Sequence, residues 1–147
     1  MKKYKGFTLF ELLVSISIIA ILTALAVVSY SAAQKKARDA RREEDMQNIQ
    51  KAAEQYYMLN SSSYPFAGGT PAANWTAGST WTVNGQSVLQ GFPLDPKGIA
   101  YTAPPTTTAS AYCMCAYSEN AAGNCANMDC NYSTAGAKNW FCVNNQQ

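Results

Sequence analysis

The hydrophobic and polar positions divide the chain into an apolar first part and a polar second part. From Phe7 to Ala33 the only charged residue is Glu11. A helix needs about 20 apolar residues to cross the hydrocarbon core of a bilayer, so this run predicts a membrane-spanning helix. No Gly or Pro occurs between residues 7 and 64. Because these are the strongest helix breakers, their absence predicts that the helix continues to about Leu59.

Beyond Ala33 the pattern becomes amphipathic. Apolar residues recur mostly at helical spacings, and we expect them to form one stripe that packs against a globular domain: Ala37, Ala40, Met46, Ile49, Ala53 and Tyr56. Charged residues occupy most of the other positions, and we expect them to form a solvated face: Arg38, Arg41, Arg42, Glu43, Glu44 and Asp45. Since both signs of charge are interleaved, the alternative is a set of salt bridges between copies of the chain.

Two stretches near the end of the chain predict paired β-strands. Residues 110–118 and 139–145 alternate in polarity and are rich in aromatic residues. Cys113 and Cys115 fall on one face of the first strand, because side chains repeat every two residues. The predicted fold class is α+β, with a long N-terminal α-helix that is transmembrane in its first half and a small C-terminal antiparallel β-sheet domain.

These patterns divide the chain into four parts. Residues 1–6 form a short basic leader, and residues 7–33 form the helix of the membrane or of a filament core. Residues 34–59 form the amphipathic continuation of that helix. Residues 60–147 form a β-rich globular head, which begins with the turn-forming residues that end the helix.

Composition excludes several classes of function. The chain has 147 residues, a formal net charge of +2 and no histidine. It offers no nucleophile–base pair and no phosphate-binding loop, so we expect no enzyme activity and no cofactor. The charge is too nearly balanced to predict nucleic-acid binding. We expect no metal site of clustered carboxylates, because Asp95, Glu119 and Asp129 lie far apart in the sequence.

The five cysteines all lie in the head domain. Cysteines beyond a membrane span indicate disulfides in an oxidising compartment. Four candidates would form two bridges, namely Cys113, Cys115, Cys130 and Cys142, and Cys125 would remain free. The sequence does not choose among the possible pairings. The alternative is a zinc site built only from cysteines, which we do not predict because thiols outside the cytoplasm are usually oxidised.

Glu11 decides how the apolar run is interpreted. An ordinary cleaved signal peptide has an apolar core of roughly 7–15 residues, which is shorter than this run. A plain membrane anchor leaves the carboxylate unexplained, because a charge inside the bilayer costs about 2.5–3.5 kcal/mol on insertion scales. If a peptidase cut after Gly6, Phe7 would carry a free amine about one helical turn from Glu11. Glu11 could equally reach the amine of a neighbouring copy, and would then set the register of assembly.

The segment "KGFTLFELLVSISIIAIL" closely resembles the class III signal of type IV pilins and type II secretion pseudopilins. The shared pattern is a basic leader that ends in Gly6, then Phe-Thr-Leu-x-Glu from Phe7 to Glu11, then a long apolar helix. The resemblance implies that a prepilin peptidase cuts between Gly6 and Phe7 and N-methylates Phe7. It also implies that Glu11 recruits subunits by neutralising the Phe7 amine of a neighbour.

The function that this resemblance implies is that of a structural subunit of a type IV pilus-like filament. Its partners would be other copies of itself, the prepilin peptidase, the membrane, and the assembly platform and ATPase of a pilus machine. The subunit would wait in the cytoplasmic membrane as a single-pass protein and later form an extracellular filament. The alternatives are a pseudopilin of a type II secretion or DNA-uptake system and a single-span surface binding protein that never polymerises.

Overall fold

The computed structural model describes residues 6–65, 77–101, 108, 110–132 and 135–145. One helix and four strands follow in the order α1 (Leu9–Leu59), β1 (Trp81–Val83), β2 (Gln86–Leu89), β3 (Cys113–Tyr117) and β4 (Trp140–Asn144). The predicted α+β fold class, with a long apolar N-terminal helix and small antiparallel sheets, is confirmed. The chain divides into two units, residues 1–35 and residues 36–147.

In the first unit, α1 is apolar and its large side chains are exposed. Large hydrophobic side chains from Phe7 to Tyr30 are exposed, among them Leu9 at 83% and Val28 at 72%. Such exposure in water would cost about 25 cal/mol for each Å² of apolar surface. By length and composition this helix can cross a membrane. The unit therefore needs lipid or other protein around it.

In the second unit, the rest of α1 packs one stripe onto the head. Met46, Ile49 and Ala53 are fully buried, as the amphipathic pattern predicts, and Tyr56 is half-buried. They share a core with Trp81, Phe92, Met114 and other aromatic and aliphatic residues of the head. Ala37 and Ala40 are exposed instead, so the predicted stripe is wrong over its first two positions.

The prediction that the charged residues of α1 form a solvated face is also wrong in part. Arg42 is only 3% exposed and Asp45 only 7%, whereas Arg41, Glu43 and Glu44 are exposed. Arg42 lies four residues before Met46, and Asp45 lies four residues before Ile49. Residues at this spacing share one face of a helix, so the buried stripe continues through two charged positions.

The predicted pairing of the two C-terminal strands is confirmed. β3 and β4 form an antiparallel sheet in which Cys115 lies opposite Cys142 and Tyr117 lies opposite Trp140. Tyr117 and Trp140 stack edge to face with ring centroids 5.4 Å apart. Met114 and Ala116 of β3 share the core with Met46 and Ile49 of α1.

A second hairpin, β1–β2, was not predicted. Its two-residue turn is Asn84-Gly85, and both residues have positive φ, at 51° and 80°. This is the turn chemistry that matches the twist of a tight hairpin, so the Asn-Gly pair was the available signal. The Asn84 amide also donates to the carbonyl of Leu59 at 3.1 Å, which satisfies one of the last acceptors of α1.

Candidate functional site

The junction between Gly6 and Phe7 is open to solvent. Helix α1 begins at Leu9, so Gly6, Phe7 and Thr8 precede its first turn. Phe7 is 87% exposed and Gly6 is exposed. Residues 1–5 of the expected leader lie outside the described part of the chain. The bond that the sequence predicts to be cleaved thus lies in an accessible, non-helical segment.

Glu11 is held by the residue just before the helix. One carboxylate oxygen, Oε2, accepts hydrogen bonds from the Thr8 N–H and from the Thr8 hydroxyl, both at 2.8 Å. In return the N–H of Glu11 donates to the Thr8 hydroxyl at 3.2 Å. This reciprocal arrangement is a capping box, which satisfies the free N–H groups at a helix start. Sequence reasoning missed it, although Thr-x-x-Glu before an apolar run is its signature.

The capping box leaves half of the carboxylate unused. Within the described residues, Oε1 of Glu11 accepts no hydrogen bond and pairs with no cation. A carboxylate offers about four acceptor positions, so the group that caps its own helix retains capacity for a cation. The cap that Glu11 forms therefore does not use up the acceptor capacity of its carboxylate.

The hydroxyl groups in the apolar stretch bond to their own helix. Ser15, Ser17 and Ser29 each donate to the carbonyl four residues earlier, at 2.7 to 3.2 Å. Thr23 donates to the carbonyl of Ile19 at 2.9 Å. Such back-bonding satisfies a hydroxyl without water. The stretch from Leu9 to Ala33 therefore presents an almost wholly apolar exterior despite its polar residues.

In the head unit, Arg42 lies at the centre of an ionic cluster. Its guanidinium donates to both oxygens of Asp95, to Asp39 at 2.9 Å and to Glu119 at 2.9 Å. Glu119 also forms ion pairs with Arg38 at 2.7 Å and with Lys97 at 3.2 Å. Three cations thus meet three carboxylates, and the cluster ties α1 to the loops that carry residues 95–97 and 118–120.

Asp39 holds the second of these loops by a different means. Its carboxylate accepts the main-chain N–H of Glu119 at 2.9 Å and that of Asn120 at 3.0 Å. The hydroxyl of Ser118 and the amide of Asn120 also donate to it. Four donors from three consecutive residues fix the turn that follows β3.

The cluster keeps its carboxylates ionised. Hydrogen bonds from Arg38 hold the pKa of Glu119 far below its usual value, against the opposing effect of burial. Burial would raise the pKa of Asp95, but the hydrogen bonds from Arg42 and the Lys97 N–H, together with the charge of Arg42, outweigh it and the pKa is lowered. The pKa of Asp39 is lowered in the same way, because donors from Glu119 and Asn120 outweigh burial. Asp45 differs, since burial raises its pKa despite the hydrogen bond from Tyr101.

Four of the cysteines in the head form two disulfides, and the fifth is a free thiol. Cys113 pairs with Cys130 and Cys115 pairs with Cys142, and Cys125 is free and fully buried. Burial raises the pKa of the Cys125 thiol. The four bridged sulfur atoms all lie within 4.8 Å of one another. They are the residues that could hold a metal if reduced, but a disulfide sulfur is not the thiolate that zinc requires.

These features belong to two separate units of the chain. Glu11 and Phe7 belong to the apolar unit, whereas the ionic cluster and the cysteines belong to the head unit. The ionic cluster and the disulfides have a local structural explanation. Among the described residues, three features have no such explanation: the exposed junction of Gly6 and Phe7, the Oε1 atom of Glu11 and the exposed apolar helix.

Comparison with known proteins identifies the first of these features. Residues 1–27 match the family model of the prokaryotic N-terminal methylation motif. No curated protein and no solved structure gives a match to the chain. The amino terminus therefore carries the class III signal that is characteristic of type IV pilins and pseudopilins, the signal of pilin-like substrates of a prepilin peptidase.

Proposed function

We propose that the chain is a structural subunit of a type IV pilus-like filament. The observation that carries this proposal is the class III signal at residues 1–27, which runs into an apolar helix whose described side chains are exposed. A membrane covers such a helix before assembly, and the helices of neighbouring copies cover it afterwards. Burial of apolar surface at about 25 cal/mol per Å² drives that packing.

Processing makes the subunit ready for assembly. In the proposed sequence of events, the prepilin peptidase cuts the exposed bond between Gly6 and Phe7 and methylates the new amine of Phe7. The amine is a cation at a helix N-terminus, where the helix dipole disfavours positive charge. The unused oxygen of Glu11 supports the proposal that this residue neutralises the Phe7 amine of a neighbouring copy and so sets the register.

The proposed role is mechanical rather than catalytic. The head domain coats the filament, and its two disulfides and buried ionic cluster suit a domain that works outside the cell. The assembly platform and ATPase of a pilus machine would lift the subunit from the cytoplasmic membrane. A pseudopilin of a secretion or DNA-uptake system shares the same processing, but its filament does not leave the cell.

The experiment that tests the proposal is the intact mass of this chain in material sheared from the cell surface, with fragmentation of its N-terminus. We expect a chain that begins at methylated Phe7. A chain that begins at Met1 and occurs only in membranes would contradict the proposal and favour an anchored binding protein. A processed chain that never leaves the cell would favour the pseudopilin.

A matched pair of variants tests the role of Glu11. Glu11→Gln removes the negative charge but keeps a side-chain oxygen that can accept from Thr8. Thr8→Ala removes the cap but keeps the charge. We expect Glu11→Gln to be processed normally and to form filaments poorly, and Thr8→Ala to form filaments. Normal filament yield from Glu11→Gln would show that the charge does not set assembly.

A further inference from the structure

Four cysteine sulfurs of the head lie in one compact group. Cys113 and Cys115 are on β3, Cys142 is on β4, and Cys130 lies in the segment between these strands. Their Sγ atoms all lie within 4.8 Å of one another, although they belong to two separate disulfides. The Sγ atoms of Cys113 and Cys115, which belong to different bridges, are 3.7 Å apart. The two bridges are therefore in direct contact.

This spacing fits a tetrahedral metal ion. Zn²⁺ binds four cysteine thiolates at about 2.3 Å each, which places neighbouring sulfurs about 3.8 Å apart. The sulfurs of Cys113 and Cys115 already have that separation. When the two bridges are reduced, the sulfurs within each bridge are no longer bonded. Rotation about the Cα–Cβ bonds then separates them and opens a space for the ion between all four.

The sheet positions most of these sulfurs. Cys115 and Cys142 lie opposite each other in the β3–β4 ladder, and Cys113 lies on the same face of β3 two residues before Cys115. Main-chain hydrogen bonds hold this ladder, and Met114 and Ala116 anchor β3 in the core. Three of the four sulfurs are thus placed by interactions other than the bridges. A site on strands is held more precisely than a site on loops.

The group is shielded on most sides and accessible on one. The three cysteines on the strands are at most 6% exposed, whereas Cys130 is half-buried. Met128 and Trp140 pack against the group. An ion can enter from the side of Cys130, while apolar side chains keep water from the other sulfurs. Thiolates are soft ligands that select soft or borderline cations, and the chain has no histidine to compete for them.

The fifth cysteine is close to the group but outside it. Cys125 is fully buried and packs against the other cysteines. Its main chain pairs with that of Trp140. Its Sγ is not among the four atoms that lie within 4.8 Å of one another. Cys125 therefore offers a thiol in the same surroundings that lacks the position of a ligand, and this makes it a matched control.

We propose that the reduced head binds one Zn²⁺ ion through the thiolates of the four grouped cysteines before its disulfides form. A new chain carries five thiols, because cytoplasmic reductants keep cysteines reduced until the chain reaches an oxidising compartment. Binding releases the four thiol protons as the ion takes up four thiolates. The argument from oxidation against zinc applies to the later state only. The site goes beyond the proposed filament function and does not depend on it.

Oxidation ends the binding of the metal. Two molecules of an external disulfide, such as oxidised glutathione, each take two electrons from one pair of cysteines. Two protein S–S bonds form, the four thiolates of the oxidant take up four protons from water, and the ion leaves as Zn²⁺. We expect one Zn²⁺ per chain to be released, which a chromophoric chelator counts. Zinc that stays bound after both bridges have formed would overturn the inference.

Metal titration of the full chain in detergent micelles tests the site. The chain is reduced with a phosphine and kept free of oxygen and metal, and Co²⁺ is added as a spectroscopic substitute for Zn²⁺. We expect one Co²⁺ per chain, with the strong visible absorption of a tetrahedral cobalt thiolate, and its displacement by one Zn²⁺. The chain with both bridges intact should bind neither ion. Absence of this absorption from the reduced chain, or equal binding by the oxidised chain, would overturn the inference.

Matched serine variants identify the ligands. All are measured in the reduced state, so the loss of a bridge does not affect the comparison. Cys130→Ser and Cys142→Ser should each lower the affinity for Zn²⁺ at least about tenfold, which is the lower end of what even a group that hydrogen-bonds to a ligand contributes. Cys125→Ser should keep the affinity of the wild type. Equal affinities in all three variants would mean that any thiol binds the ion and would overturn the inference.

Amide exchange distinguishes a folded site from binding to an unfolded chain. With one equivalent of Zn²⁺, the amides in the ladder of β3 and β4 should exchange within about tenfold of their rates in the oxidised chain, because metal binding and folding are coupled. Exchange as fast as in an unfolded chain would overturn the inference. None of these measurements requires a filament, so failure of the filament function would leave their results unchanged.

Discussion

At the scale of single residues, two side chains each perform two tasks. Glu11 caps its own helix with one oxygen, while its other oxygen accepts nothing from the described residues, and Arg42 joins three carboxylates from three segments of the head unit. In both cases hydrogen bonds hold the charged group in a defined position. Removing one partner should therefore cost more than the loss of one contact.

The capping box makes a prediction at Thr8. Thr8→Ala should destabilise the first turn of α1 by about 1 kcal/mol, because an N-cap hydroxyl is lost. Thr8→Ser, which keeps the hydroxyl, is the matched control and should behave like the wild type. Amide exchange at Phe10 and Glu11 in detergent micelles measures the effect. Equal exchange in Thr8→Ala and Thr8→Ser would mean that the hydroxyl contributes nothing to the helix start.

Arg42 makes a second prediction. Arg42→Ala should lower the free energy of unfolding of the head by about 3–5 kcal/mol, because Asp95 and Asp39 lose a buried cation. Arg41→Ala, one position away on an exposed site, should change it by less than about 0.5 kcal/mol. Denaturant titration of the full chain in micelles, followed by Trp fluorescence, gives both values. If Arg42→Ala lowers the free energy of unfolding only slightly, water stabilises the carboxylates nearly as well as the guanidinium does.

At the scale of elements, the cluster joins α1 to two loops that the sequence places far away. Asp95 lies after β2 and Glu119 lies after β3, yet both reach the same guanidinium. The loops thus depend on α1 for their position. The main-chain donors of Glu119 and Asn120 bind Asp39 in the same way, so the helix organises the turn after β3.

This arrangement sets the pH dependence of stability. The pKa values of Asp39, Asp95 and Glu119 lie below their unfolded values of about 3.9 for Asp and 4.3 for Glu. Groups of this kind stabilise the fold above the unfolded pKa, and the contribution is lost as pH falls through the folded pKa. Asp45 acts with the opposite sign, because burial raises its pKa and its ionised form is disfavoured in the fold.

We therefore expect the free energy of unfolding to change little between about pH 6 and 8 and to fall below about pH 4. Urea titration at a series of pH values measures this. Glu119→Gln should make the acid decline shallower, because one of the three carboxylates no longer titrates. If the free energy of unfolding of that variant falls as steeply with pH as in the wild type, the ionisation of Glu119 does not contribute to the acid decline.

The elements could be predicted where local pattern decides them. The long helix follows from the absence of Gly and Pro, and β3 and β4 follow from alternation and aromatic content. The burial of Arg42 and Asp45 could not be predicted, because their partners are brought to them only by tertiary folding. The capping box at Thr8 and the Asn84-Gly85 turn were readable signals that the sequence interpretation did not use.

At the scale of the whole molecule, the two units are stabilised by different means. In the first unit the described apolar side chains from Phe7 to Tyr30 are exposed, whereas the second unit has a core, an ionic cluster and two disulfides of its own. The class III signal could be recognised because its residues lie within one short segment, and the roles of Gly6, Phe7 and Glu11 in it stay predictions. The sequence left the cysteine pairings open, because pairing depends on which strands meet.

The bridges give a prediction for the intact chain. Under denaturing conditions without reductant, iodoacetamide should add one label, at Cys125, and after reduction it should add five. The native chain should take up no label, because Cys125 is buried and its thiol pKa is raised. Mass spectrometry counts the labels, and Cys125→Ala is the control that should take none before reduction. Label on the native chain would mean that the head opens around Cys125.

The bridge between Cys115 and Cys142 also determines how the head responds to force. The two residues are 27 positions apart. When the chain is stretched from points before Cys115 and after Cys142, the disulfide carries the tension and the segment between the two cysteines does not. That segment could otherwise extend by roughly 90 Å at about 3.4 Å per residue. A fibre built from this chain would lengthen under load by movement or unfolding of other parts. The segment from Cys115 to Cys142 would not extend, because the disulfide joins its ends.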